Sequence, residues 1–148
     1  MAFRFRLQSV LNHRLHLEDL AKNELGIKVQ ARNQCEQRML WLREEMGRIR
    51  RNLAEREQKG MSANDFILAN EYVTVLRLQG QREQSRLPML QGEEDGARAA
   101  LLKAVQNRKA LEVLMERDKG EYNHALLAAE QALLDEVAVS AYARGGGV

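Results

Sequence analysis

From Cys35 to Leu53 the apolar side chains fall at Cys35, Met39, Leu42, Met46, Ile49 and Leu53, in alternating steps of four and three. That seven-residue rhythm keeps one edge of a helix apolar turn after turn, and along such an edge two helices wind together. No other feature of the chain constrains the fold as much. A strand has a period of two, so in a sheet the same residues would scatter over both faces. Composition agrees. Ala, Glu, Lys, Leu and Arg supply 79 of the 148 residues, and there is a single proline. These five lose little rotamer freedom on a helix surface, and a share near ~50% is the mark of long helices and coiled coils. An all-β domain needs more β-branched and aromatic residues. A disordered chain holds fewer apolar residues than the 45% found here.

The rhythm stops at residues 58–65, Gln-Lys-Gly-Met-Ser-Ala-Asn-Asp. Gly60 suits a left-handed C-terminal cap. Ser62 suits an N-cap, and Asp65 three positions on resembles a capping box with Asp in place of Glu. A helix stop followed at once by a helix start predicts an αα-hairpin. After it, Phe66, Ala69, Val73, Leu76, Gly80, Glu83, Leu87 and Leu90 resume the spacing. Steps of seven then reach Ala97, Leu101, Ala104, Leu111 and Met115. The expected fold is all-α: an antiparallel two-helix coiled-coil hairpin with an overhanging C-terminal helix. It is read as one coiled-coil domain over residues 1–148, with helices over about 4–58 and about 63–142, a turn at 59–62 and a flexible tail at 143–148.

Three irregularities interrupt the pattern. Upstream of Cys35 the seam meets Lys28 and Arg32 while Ile27 and Ala31 lie beside it, which predicts a register shift near Gly26. Ala21 with Leu25, and Leu7 with Leu11, fall back on the seam. Pro88 removes one backbone hydrogen bond and crowds the preceding turn, at ~3 kcal/mol or more in a helix interior. Gly92 and Gly96 weaken the same stretch. Because the apolar register carries through, one long helix kinked near 88 is expected, with a three-helix arrangement broken at 87–96 as the alternative. Further on, Leu111, Met115, Tyr122, Leu126, Leu133 and Val137 follow steps of four and seven. An eleven-residue repeat predicts a straight or slightly right-handed segment, whereas strict sevens would bury Arg108, Asp118 and Glu136.

The two helices differ in length. Positions equally distant from the turn face each other, so the start of the first helix pairs with about residue 118, leaving roughly 24 residues and ~36 Å of the second helix beyond it at 1.5 Å per residue. That excess keeps an apolar stripe of Tyr122, Leu126, Leu133 and Val137, a candidate docking surface for another protein. The competing reading is that two copies pair through it.

Charge and chemistry narrow the function. The net charge of +2 does not by itself imply a nucleic-acid partner. Residues 1–60 carry 13 Lys and Arg against 8 Asp and Glu, and the remainder carries 10 against 13. Opposite signs on the two helices favour their pairing more than they stabilise it. Arg43, Arg48, Arg50, Arg51 and Arg56 lie off the seam, salted with Glu44, Glu45, Glu55 and Glu57, and read as a solvated face. Nucleic-acid binding would want interleaved aromatics. Trp41 and Tyr72 sit one position off the seam, where they read equally as interface anchors or as residues lying along the coil flank. Cys35 is the only cysteine and reads as a small core residue in a reducing compartment. The N-terminus has no apolar secretory region, and the longest apolar run, Ala125 to Ala129, is far short of the ~20 residues of a membrane span. His13 and His16 lie three apart, but no further ligand completes a metal set, and His124 is isolated. There is no phosphate loop and no catalytic, cofactor or metal constellation to name. The chain reads as a cytoplasmic protein that is not an enzyme.

The opening Phe3-Arg4-Phe5-Arg6-Leu7-Gln8-Ser9-Val10-Leu11, with Arg14 after it, resembles the start of the FliJ family of flagellar type III export proteins. Leu111-Glu112-Val113-Leu114-Met115-Glu116-Arg117 is similar to a later block of that family, as is Glu130-Gln131 followed by Leu134-Asp135-Glu136-Val137-Ala138. The three blocks match in order and spacing over nearly the whole chain. Pro88 with its glycines, and the glycine tail, depart from the pattern.

The resemblance implies a coiled-coil stalk like the central subunit of rotary ATPases. Such a stalk inserts its paired termini into the hexameric flagellar export ATPase and promotes its assembly and turnover. It also contacts the transmembrane export gate protein and escorts export chaperones, with no nucleic acid and no membrane insertion. Its implied place is the cytoplasm, at the cytoplasmic face of the inner membrane at the flagellar base. By similarity the ring-facing residues are Phe3, Phe5, Leu7 and Leu11 on one side, and Tyr122, Leu126, Glu130, Asp135 and Glu136 on the other. The gate-facing residues are Leu42, Ile49, Tyr72 and Leu76, although Leu42, Ile49 and Leu76 also read as seam residues. The alternatives are the stalk of a virulence-type III secretion ATPase and a generic coiled-coil scaffold.

Overall fold

The computed structural model describes residues 2–145. It contains two helices, α1 (Gln8–Lys59) and α2 (Ala63–Gly145), packed against each other as a hairpin, with no strand among the described residues. Three residues join them. Gly60 has a φ of 90°, a left-handed conformation that costs other residues about 1–2 kcal/mol. Its N–H donates to the Glu57 carbonyl at 3.4 Å, and the Asp65 N–H donates to Ser62 Oγ at 3.2 Å. The stop and start signals of the sequence therefore act at the residues that carry them.

The chain divides into two compact units: Asp19–Leu102, which contains the turn, and Met1–Glu18 together with Lys103–Val148. In the turn unit Leu42, Ile49, Val73 and Leu76 form a buried cluster, with Met46 and Leu53 packed on it. Leu42 retains 1% of its surface. Cys35 and Leu90 are also buried. The Cys35 thiol donates to the Glu83 carbonyl at 3.4 Å. Burial pushes that thiol above its ordinary pKa, and the Glu83 hydrogen bond and charge add to the effect.

No register shift occurs near Gly26. Lys28 and Arg32 stay on the seam, half-buried, while Ile27 is exposed. The charges are tolerated there because α2 supplies opposite ones. Lys28 Nζ lies 3.4 Å from Glu93, and Arg38 Nε lies 3.7 Å from Glu83. Glu94, 4% exposed, receives Arg98 Nη2 at 2.5 Å. Arg32 Nε lies 2.6 Å from Glu94, but its N–H is not aimed for a hydrogen bond, so that contact is one of charge alone.

Nor does the period change at Leu111. Strict sevens persist through Tyr122, and the half-buried positions include Arg108 and Asp118. In the terminal unit Arg108 Nε donates to the buried Glu18, and its Nη1 donates to both Glu112 oxygens at 2.8 Å. These two carboxylates hold the Arg108 guanidinium above its already high pKa, Glu18 contributing most.

α2 runs unbroken through Pro88, so the three-helix alternative does not occur. Pro88 and Gln84 are both exposed, and the Gln84 carbonyl that loses its helical partner can bond to water, which lessens the cost. α1 starts at Gln8, later than its composition suggested. The preceding residues are non-helical, and the Gln8 N–H closes a turn onto the Phe5 carbonyl at 3.1 Å. At the other end residues 143–145 are helical, and 146–148, the rest of the expected tail, lie outside the described residues.

Candidate partner-binding surfaces

The terminal unit presents the first surface. Its non-helical start folds onto α2: the Phe3 and Tyr122 rings lie 5.6 Å apart, tilted by 50°, within the range of favourable aromatic pairs. Phe5 and Leu11 are buried, while Phe3, Leu7 and Tyr122 are half-buried. Beyond Tyr122 the covering ends. Residues 123–145 remain helical and are exposed throughout, except for half-buried Ser140. Leu126, Leu127, Leu133, Leu134, Val137, Val139 and Tyr142 all face solvent. Glu130, Asp135 and Glu136 stand among them, with Gln131 donating to Asp135 at 2.9 Å. Roughly six turns of helix that keep an exposed apolar stripe make a candidate recognition surface.

The second surface lies at the turn. Tyr72 is 44% exposed, and Leu42, Ile49 and Leu76 are buried beneath it in the seam. Of these four, only Tyr72 has surface to offer a partner. It borders a groove of about 210 Å³ whose walls include Ile49, Leu53, Met61, Arg48 and Arg56. Arg48 donates to Glu45 through Nε at 3.1 Å and Nη2 at 2.5 Å, and this hydrogen bond pulls the Glu45 carboxyl below its usual range. Trp41 is exposed on α1.

Sequence reasoning missed one feature. The outer face of α2 near the turn exposes Ile67, Leu68, Val75 and Leu78, while the inner face carries Val73 and Leu76. The first turns of this helix are thus apolar on both sides. The signal was available in the non-seam positions, which the search for a seven-residue rhythm ignores.

His13, His16 and His124 are exposed. Among the described residues no group of three or more His, Cys, Asp and Glu is arranged to hold a metal ion, and no helix is long and apolar enough to cross a membrane.

An exposed helical end beside an aromatic N-terminal clasp is a feature on which a family can be tested. Residues 3–147 match the family model described as Flagellar FliJ protein. The chain belongs to the FliJ family. No curated protein and no solved structure matches it. The match spans the clasp, the turn and the exposed end together, so the FliJ family likeness extends to both surfaces. It makes the chain a component of the flagellar export apparatus, in a family whose role is non-catalytic.

Proposed function

We propose that this chain is a non-enzymatic stalk and adaptor of flagellar export. Its terminal surface enters the hexameric export ATPase and stimulates turnover, its turn-proximal half contacts the transmembrane export gate protein, and it escorts export chaperones. It acts in the cytoplasm at the flagellar base, on the cytoplasmic face of the inner membrane. The observation that carries this reading is the uncovered apolar helix over residues 123–145. On the ring side, Phe3, Leu7, Tyr122, Leu126, Glu130, Asp135 and Glu136 make contact, with Phe5 and Leu11 holding the clasp from behind. On the gate side Tyr72 makes contact, supported by Leu42, Ile49 and Leu76.

A protein that performs no chemistry can raise turnover only by binding the productive ring state more tightly than the others. An exposed apolar helix suits that task, because its burial is available to whichever ring state closes around it. The test is the ATP hydrolysis rate of the purified export ATPase with and without the chain. Wild type is expected to raise the rate. Leu126→Ser with Leu133→Ser should abolish the increase while leaving the melting temperature in place, since exposed substitutions change stability by only about 0.5 kcal/mol. An unchanged rate with wild type, or full stimulation by the double variant, would refute the reading.

A further inference from the structure

We infer that the exposed C-terminal helix of one copy docks in the turn groove of a second copy, joining hairpins through unlike surfaces. The two surfaces are complementary in charge and shape. Between residues 123 and 143 there are three carboxylates, Glu130, Asp135 and Glu136, and no Lys or Arg. The groove carries Arg48 and Arg56, and no carboxylate lines it. Its remaining walls are the neutral Asn52 and the apolar or aromatic Ile49, Leu53, Met61, Ala69 and Tyr72. Among the described residues Arg56 has no ion-pair partner, and Arg48 bonds Glu45 through Nε and Nη2, leaving its Nη1 donors available.

The spacing fits as well. Leu133 has Glu130 and Glu136 three residues to either side, on the same face of the helix. The two carboxylates are about 9 Å apart along the axis, and Arg48 and Arg56, eight residues apart on α1, are separated by about 12 Å at 1.5 Å per residue. Long arginine side chains close the difference. With Leu133 seated in a groove of about 210 Å³, room for one large apolar side chain, both carboxylates lie within reach of a guanidinium.

Charge also decides against the simplest competitor. Pairing two C-terminal helices with each other would bury the same apolar stripe but bring three carboxylates against three. Docking in the groove meets opposite charges instead. A copy held this way has Leu133 and its flanking carboxylates covered, and that stretch of the helix is withheld from any other protein.

The competing arrangements respond oppositely to salt. Exposed ion pairs are screened, so groove docking weakens as salt rises, while tail-to-tail pairing strengthens when its repulsion is screened. Sedimentation velocity of the full chain should show association that falls between about 0.05 M and about 0.5 M salt. Arg48→Glu with Arg56→Glu, and Glu130→Arg with Glu136→Arg, should each weaken it about five- to tenfold, the range expected for turning attraction into repulsion at exposed pairs. Mixing the two variants should restore association, because the acidic groove of one then meets the basic tail of the other. Circular dichroism of each variant checks that the helices persist. A chain that stays monomeric at every salt concentration, association that grows with salt, or a mixture no more associated than its parts would overturn the inference.

Discussion

Gly80 lies on the seam in a helical conformation, and a methyl group built there meets nothing within 4 Å. It borders an open groove of about 270 Å³ lined by Leu42, Met39 and Met46 and by the polar Arg43, Arg77, Gln81 and Gln84. Gly80→Ala should therefore stabilise the hairpin twice over. Replacing glycine by alanine in a helix interior is worth about 0.8–1.0 kcal/mol. A half-buried methyl adds roughly half of the ~0.8 kcal/mol of a fully buried one. The sum, about 1.3 kcal/mol, corresponds to a rise of roughly 3–6 °C in melting temperature for a chain of this size. Gly92 lies off the seam and is exposed, with open space around it. Gly92→Ala should give the helical part of the gain alone. Thermal unfolding followed by circular dichroism at 222 nm measures both. If Gly80→Ala gained no more than Gly92→Ala, the groove beside Gly80 would give the added methyl no burial. If it destabilised the protein, the close helix approach would require a bare Cα.

Three further outcomes follow from the same geometry. Leu42→Ala removes the most completely buried side chain and should cost about 2–4 kcal/mol in urea unfolding; a loss below about 1 kcal/mol would mean the cluster is not the core. Cys35, held above its ordinary pKa by burial, stays a thiol at neutral pH, so its reaction with a disulfide reagent should be slow and should accelerate with urea in step with unfolding; prompt labelling of the native protein would contradict its burial. The Arg48 hydrogen bond lowers the Glu45 carboxyl in the folded state, so its contribution is present above the unfolded pKa and is lost as pH falls through the folded one; Arg48→Ala should flatten the acid side of the stability–pH profile, and an unchanged profile would remove the coupling.

The parts of the fold legible in the sequence are those where local rules suffice. The seam from Cys35 to Leu53 needs only apolar residues at helical spacing, and the turn needs only Gly60 and Ser62. What was not legible depends on a partner far away in sequence. Lys28, Arg32, Arg108 and Asp118 read as breaks in an apolar pattern. Yet Glu93, Glu94 and Glu18 make the first three of those seam positions tenable. The eleven-residue period arose in the same way. Leu111, Met115 and Tyr122 belong to a heptad with Asp118 at its fourth place, and omitting the charged position turns sevens into elevens. The late start of α1 has a similar cause: Phe3 lies against Tyr122, a contact no neighbour in sequence announces. For the candidate surfaces, the exposed end of α2 followed from counting residues on each side of the turn. The groove did not, because a cavity depends on how side chains from two helices splay apart.

The short Gly60 turn also sets an order of events. Contacts beside it close small loops, whereas Cys35 with Glu83, Lys28 with Glu93 and Glu18 with Arg108 join residues 48, 65 and 90 apart. Each longer closure costs more entropy and is repaid only when the inner one is in place. The chain accordingly zips outward from residue 60, and Phe3, though synthesised before Tyr122, waits for it to emerge before the two rings meet. Unzipping runs in the reverse direction. The clasp is the first structure to open, so a partner that grips the ends meets the part of the molecule that yields at least cost.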